Sequence, residues 1–350
     1  MDLNYRLRRV ESIRCRVISV FTSDLFFIGV VALLTLLNLF PFSLKAQGTI
    51  VHDPVMIRQD STWYLFCTGK GIMTLSSDNL TDWNNCGPVF EVVPAWTQAA
   101  IPEFKDLIWA PDISYHNGKY YLYYAVSAFG KNTSCIGLAT NKTLDKSDPD
   151  FKWMDAGNVI QSVPNRDMWN AIDPNLILDE NNTPWLVFGS FWEGIKLVKL
   201  NADFNAPAQP EEWYTLARRP RNFYLPDSDP GNAAIEAPFI FLKNGYYYLF
   251  VSFDHCCRGI KSNYKIMVGR SRSVTGPYLD KQGKDMFNGA ATLVLEGNSD
   301  WPGLGHNAMY SFNGKDIMIF HAYDAHDEGK PKLLVREVTW DGDGWPVVKL

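Results

Sequence analysis

His116-Asn117-Gly118-Lys119 followed by Tyr120-Tyr121-Leu122-Tyr123-Tyr124, and Lys243-Asn244-Gly245 followed by Tyr246-Tyr247-Tyr248-Leu249-Phe250, decide the fold. Asn-Gly between apolar runs marks a tight hairpin, because both central residues must take positive φ. Asn313-Gly314-Lys315-Asp316 before Ile317-Met318-Ile319-Phe320 is a third copy. Two looser copies complete a set of five. They are Gln59-Asp60-Ser61-Thr62 before Trp63-Tyr64-Leu65-Phe66, and Glu180-Asn181-Asn182-Thr183-Pro184 before Trp185-Leu186-Val187-Phe188.

Upstream of each turn lies a short segment with a polar head. These segments are Asp53-Pro54-Val55-Met56-Ile57, Ala110-Pro111-Asp112-Ile113-Ser114, Asp173-Pro174-Asn175-Leu176-Ile177, Glu236-Ala237-Pro238-Phe239-Ile240 and His306-Asn307-Ala308-Met309-Tyr310. The heads Asp53, Asp112, Asp173, Glu236 and His306 recur at steps of 59, 61, 63 and 70 residues. Such a step holds three or four strands, which is one propeller blade. Five copies predict an all-β, five-bladed β-propeller. Helical and α/β-barrel folds are excluded, because the apolar runs are four to eight residues long and bounded by turns.

Composition narrows the function. The 350 residues are 46% hydrophobic, too apolar for a disordered chain. Lys and Arg number 33 against 38 Asp and Glu, and no basic run follows residue 16, which disfavours nucleic acid. Residues 1–46 differ from the rest. Arg6, Arg8, Arg9, Arg14 and Arg16 precede an apolar run from Leu25 to Leu44, then Lys45-Ala46. An export signal ending near Ala46 is expected, or a membrane anchor formed by residues 25–44 if it is not cleaved. Both place residues 47–350, a single propeller catalytic domain, outside the cytoplasm, secreted, periplasmic or surface-held. Five cysteines fall in that domain, with no Cys-x-x-Cys zinc pair. Cys67 and Cys86 are either a disulfide or two buried thiols.

Closing the blades into a ring brings the five heads to one end of the axis, as an acidic pocket with one histidine. Carboxylates that share a pocket raise one another's pKa. One can then donate a proton while a neighbour stays ionised as a base, the arrangement that glycoside hydrolysis uses. Trp109, Phe129 and Trp192 lie where aromatic rings would stack on sugars. His52 is expected to point away from Asp53, as strand neighbours do. His321 is placed where it can reach the pocket, and Arg258 and Arg336 are candidate partners for the carboxylates.

The stretches Val51-His52-Asp53-Pro54, Trp109-Ala110-Pro111-Asp112, Ala171-Ile172-Asp173-Pro174-Asn175, Phe188-Gly189-Ser190-Phe191-Trp192, Ile235-Glu236-Ala237-Pro238-Phe239, Phe253-Asp254-His255-Cys256-Cys257-Arg258-Gly259 and Gly305-His306-Asn307 carry a resemblance. The chain from about Ile50 onwards resembles glycoside hydrolase family 43, and within it the endo-acting α-1,5-L-arabinanases. The resemblance implies inverting hydrolysis of internal linkages in arabinan or arabino-oligosaccharides by a monomer without an organic cofactor. It implies Asp53 as general base, Glu236 as general acid, and Asp173 as the residue that orients the acid and holds its pKa up. It implies sugar contacts at Trp109 and Phe129, with Asn170, Ser190 and Trp192 as further pocket residues. It also implies a calcium ion on the axis, contacted by His306 and water; His306 as a hydrogen-bonded pocket histidine is the plainer alternative. Glu193 stands where the arabinanase pattern has a small residue, which suggests an altered subsite. The rivals are an exo-acting α-L-arabinofuranosidase or β-xylosidase on the same scaffold, and a sugar-binding propeller without catalysis. A sucrose- or fructan-cleaving enzyme is disfavoured by the Ile235-Glu236-Ala237-Pro238 context.

Overall fold

The computed structural model describes residues 48–350, so the expected export segment lies outside the described residues. Blade I holds β1 (Val55–Gln59), β2 (Thr62–Cys67), a two-residue β3 (Gly69–Lys70) that pairs with the next blade, β4 (Met73–Ser77) and β5 (Asn84–Pro88). A short helix, α1 (Ala95–Ala100), leads to blade II: β6 (Leu107–His116), β7 (Lys119–Ser127), β8 (Ser134–Asn141) and β9 (Met154–Ser162). Blade III is β10 (Asn175–Leu178), β11 (Pro184–Phe188), β12 (Ile195–Lys199) and β13 (Trp213–Ala217). Blade IV is β14 (Ile235–Lys243), β15 (Tyr246–Phe253), β16 (Lys265–Ser271) and β17 (Thr292–Leu295). Blade V is β18 (Leu304–Phe312), β19 (Lys315–Asp324), β20 (Lys330–Trp340) and β21 (Pro346–Val348). The five sheets are the five blades of the expected propeller.

The turns that announced the repeat behave as their chemistry requires. Asn117, Asn244 and Asn313 sit at φ 51°, 51° and 50°, and the glycines after them at 78°, 72° and 76°. Each closes a two-residue hairpin, as in the pairing of His116 with Lys119. The ring is closed by the segment before β1. Ile50 bridges Lys332, and the Leu333 N–H donates to Thr49 O at 2.9 Å.

The core lies between blades. Tyr123 and Leu138 of blade II pack with Leu186 and Val198 of blade III. Val187 and Leu197 meet Leu249 and Val251 of blade IV, and Phe250 and Val268 meet Phe320 and Leu334 of blade V. Each sheet is therefore covered on both faces, which is why the strands read as continuous apolar runs rather than alternation. Truncating a ring such as Phe250 to alanine would cost about 3–5 kcal/mol.

The Cys67–Cys86 pairing does not form. Both are free thiols, Cys67 buried and Cys86 beside Ser76 Oγ at 3.2 Å. The bonded pair is the adjacent Cys256 and Cys257, in the loop after β15.

Candidate active site

Every innermost strand is entered through a residue in the left-handed region. The φ angles are 54° at Asp53, 43° at Ala110, 57° at Asp173, 54° at Ala237 and 53° at His306. Such values are uncommon for residues with a side chain. In blades II, IV and V the pairing with the second strand shifts register at this point. A bulge of this kind bends the strand and re-aims side chains.

This shared geometry corrects the register read from the sequence. The equivalents of Asp53, Asp173 and His306 are Ala110 and Ala237, so Asp112 lies two residues further along its strand and Glu236 one residue before. Asp112 is 3% exposed and turned towards the neighbouring blade. Its Oδ1 accepts from Asn175 Nδ2 at 3.1 Å and its Oδ2 from the Leu176 N–H at 2.8 Å. Asn175 Oδ1 in turn accepts from the Ile240 N–H at 2.8 Å. Asp112 thus belongs to a belt that joins blades II, III and IV. Burial pushes its carboxyl up to about 6.

Asp53 sits in a nest of donors. Its Oδ1 lies 2.8 Å from His52 Nδ1 and 3.0 Å from His306 Nδ1, and its Oδ2 accepts from Thr68 Oγ1 at 2.6 Å. Burial alone would raise its pKa, but the facing His52 and His306 outweigh that and hold it well below the usual carboxylate range. His306 responds in the opposite sense. Burial works against its charge, yet Asp53, Asp173 and Glu236 raise it to about 9. His306 is thereby a hydrogen-bonded partner of Asp53.

Glu236 and Asp173 are pushed the other way. Burial raises Glu236, only partly offset by hydrogen bonds from Ser190 and Tyr264. The Ser190 Oγ contact is 2.8 Å. Burial, with Glu236 and Asp53 adding repulsion against the relief from His306, carries Asp173 to about 8. Asp173 Oδ2 accepts from the Ala237 N–H at 2.9 Å, one residue beyond Glu236, and so fixes the backbone that carries the acid. One pocket therefore holds a carboxylate pushed towards its ionised form and two pushed towards their protonated form. This is the division of roles that acid–base chemistry needs.

The remaining predicted residues fall in different places. Ser190 is buried against Glu236, on a loop anchored by the Phe191 N–H to Ile235 O at 2.8 Å. Asn170 is buried, its Oδ1 accepting from Ser134 Oγ at 2.6 Å. Trp109 is half-buried beside Ala110, and Phe129 is 79% exposed just after β7. Trp192 is 2% exposed and its Nε1 donates to Asp227 O at 2.8 Å, so it buttresses a loop and presents no open ring face. Glu193 pairs with Arg218 at 2.8 Å. Arg336 donates to Val335 O, and neither it nor Arg258 pairs with a pocket carboxylate among the described residues.

His52 was expected to face away and does not. Left-handed Asp53 breaks the strand alternation on which that expectation rested. His321, wholly buried, accepts the Asp53 N–H at 3.1 Å, and burial holds it well below the usual imidazole range. His52, Asp53 and His321 offer three potential ligand atoms within 4.8 Å of one another. The Nδ1 atoms of His52 and His321 are engaged with Asp53, while His321 Nε2 is buried without a hydrogen-bond partner among the described residues. Thr68, Tyr264 and Tyr323 are further pocket residues that no sequence signal marked.

The sequence profile of the glycosyl hydrolases family 43 matches residues 48–346. The chain is 52% identical over 303 residues to the extracellular exo-α-(1→5)-L-arabinofuranosidase ArbA of Cellvibrio japonicus, covering 87% of each chain. It is 44% identical to the extracellular endo-α-(1→5)-L-arabinanase 1 of Bacillus subtilis, covering 86% of this chain and 88% of that one. Its fold matches the α-L-arabinanase of Cellvibrio cellulosa complexed with arabinohexaose, with a TM-score of 0.85 at 51% identity over 87% of this chain and 96% of that one. An acidic axial pocket, a five-bladed ring and these likenesses agree: the chain belongs to glycosyl hydrolases family 43, in its arabinanase and arabinofuranosidase group.

Proposed function

We propose that this enzyme hydrolyses α-1,5-L-arabinofuranosyl linkages of arabinan outside the cytoplasm, with inversion. The observation that carries this reading is one pocket in which His52, His306 and Thr68 hold Asp53 below the usual carboxylate range while burial raises Glu236 above it. Asp53, ionised and held by His52, His306 and Thr68, takes the proton of the attacking water. Glu236, its pKa raised by burial, gives its proton to the leaving oxygen. Asp173 anchors the Ala237 backbone, one residue beyond Glu236, and so orients the acid. Phe129, 79% exposed, and the half-buried Trp109 are the rings assigned to meet a sugar face.

The mode of attack favoured here is release from a chain end. The 52% identical relative is named an exo-arabinofuranosidase, and a solved relative at 46% identity is named an exo-1,5-α-L-arabinanase. Internal cutting, which the motifs suggest, is the second reading, supported by the 44% identical endo-arabinanase. Product sizes over time on linear α-1,5-arabinan separate them. A single short product from the outset fits the first reading, and a broad early ladder fits the second. No product, when aryl α-L-arabinofuranosides and aryl β-xylosides also stay intact, would replace both with a sugar-binding role.

Calcium at His306 belongs to the same proposal. His306 Nδ1 is committed to Asp53, so Nε2 is the atom available to a cation, with water as the remaining ligands. The surrounding carboxylates of Asp53, Asp173 and Glu236 suit a hard cation. When bound, it supplies positive charge that favours the ionised form of Asp53. A proton on His306 supplies the same charge, so the two are alternatives.

A further inference from the structure

We propose that the Cys256–Cys257 disulfide is a positioning element for Asp53, acting through Tyr323 and His52. The inference rests on Asp53 being the water-activating base. Four contacts link them. The Cys257 N–H donates to Tyr323 Oη at 2.7 Å. Tyr323 Oη lies 2.8 Å from His52 Nε2. His52 Nδ1 lies 2.8 Å from Asp53 Oδ1. Cys257 Sγ itself is 3.8 Å from His52 Nε2. Tyr323 is buried, and His52 stacks on His321 with ring centroids 3.9 Å apart, so neither side chain is free to wander.

The direction of the hydrogen bonds gives the chain its purpose. Tyr323 Oη accepts from Cys257, which directs its own O–H towards His52. In neutral His52, Nε2 then accepts and the ring proton sits on Nδ1, facing Asp53 Oδ1. A neutral His52 in the other tautomer would turn a lone pair towards the carboxylate and repel it. The backbone donor that starts this chain is the one the disulfide holds. Cys257 lies at φ 63°, a conformation that a residue with a side chain seldom adopts. Bonding adjacent cysteines closes a small ring that restricts this peptide. The flanks of the loop are fixed separately. Asp254 is clamped by Arg219 at 2.7 Å and Lys265 at 2.9 Å, and the Arg258 N–H donates to Ser262 Oγ at 3.0 Å. Opening the ring therefore frees the Cys256–Cys257 peptide without releasing the loop. Cys257 is exposed, so a reductant can reach it.

The test is reduction of the purified enzyme with a dithiol. The disulfide gains two electrons and two protons and becomes two thiols, and the dithiol closes to its own cyclic disulfide. A mass increase of two hydrogens verifies the reaction. Reduction is expected to lower kcat on arabino-oligosaccharides about three- to tenfold, the effect of losing one buried hydrogen bond. KM should change less than twofold, and the acid limb of the pH profile should move upward. Tyr323→Phe should reproduce the loss and make the enzyme indifferent to the reductant. Unchanged kcat and pH profile in the verified dithiol form would overturn the inference, as would a Tyr323→Phe enzyme that still loses activity on reduction. Asp53→Asn runs in parallel. If it is inactive while reduction has no effect, the base assignment stands and only the positioning role falls. If it stays active, the underlying reading fails first.

Discussion

Replacing Ser190 by alanine should move the alkaline limb of the activity profile to higher pH. Ser190 Oγ sits 2.8 Å from Glu236 Oε2, the serine is buried and the glutamate half-buried, and the bond favours the ionised acid. A hydrogen bond to a charged group is worth about 1.5–3 kcal/mol, and each pKa unit corresponds to about 1.4 kcal/mol. Part of that is offset, because the hydroxyl can also accept from protonated Glu236. A net rise in the Glu236 pKa follows. As the proposed general acid, Glu236 must be protonated to act, so a higher pKa keeps it competent to higher pH and the alkaline limb moves up. A weaker acid also transfers its proton less readily, so kcat at neutral pH should fall severalfold. The assay is reducing-sugar release from linear α-1,5-arabinan between pH 4 and pH 10. An alkaline limb that stays put or moves down would refute the argument that this hydroxyl tunes Glu236.

Asp112→Asn should destabilise the fold by about 1–3 kcal/mol with little change in KM, because one donor of the belt loses its acceptor. Asp112 titrates at about 6 in the fold, above the unfolded range, so the native state binds the extra proton. Its contribution to stability is present at low pH and is lost as pH rises from about 4 to about 6. Denaturant titrations of both proteins across that range would show the difference. Phe129→Ala should raise KM for arabino-oligosaccharides about five- to twentyfold through loss of a stacking face, with a smaller effect on kcat; steady-state kinetics check this. Calcium added after chelation should raise Tm in the wild type by mass action and do so far less in His306→Ala. Equal shifts in both proteins would place any cation elsewhere.

The repeat was legible because its signals are local. Asn-Gly turns and four- to eight-residue apolar runs specify hairpins wherever they occur. The three acidic residues stand in equally local motifs, Asp53 and Asp173 at the left-handed strand entrance and Glu236 one residue before it. What escaped depends on backbone angles. The left-handed residue at each strand entrance displaced Asp112 out of the pocket by two positions, and nothing in Ala110-Pro111-Asp112 announces φ 43° at Ala110. The same geometry at Asp53 brought His52 onto its own neighbour's carboxylate, against the alternation of an ordinary strand. Trp192 looked like a stacking ring because it is aromatic and near the motif, but its indole N–H found a carbonyl on the loop at Asp227 and the ring was buried. The adjacent cysteines were read only as part of a family motif. Their bond became visible once the loop after β15 was placed beside His52.

The central claim is inverting hydrolysis with Asp53 as base and Glu236 as acid. Proton NMR of the first sugars released from an α-1,5-linked arabino-oligosaccharide, run beside Asp53→Asn and Glu236→Gln, tests it most directly. The new reducing end is expected to appear first as the β-anomer, before mutarotation, and both variants to lose at least about a thousandfold in kcat. Initial release of the α-anomer, or either variant retaining near-normal turnover, would contradict it.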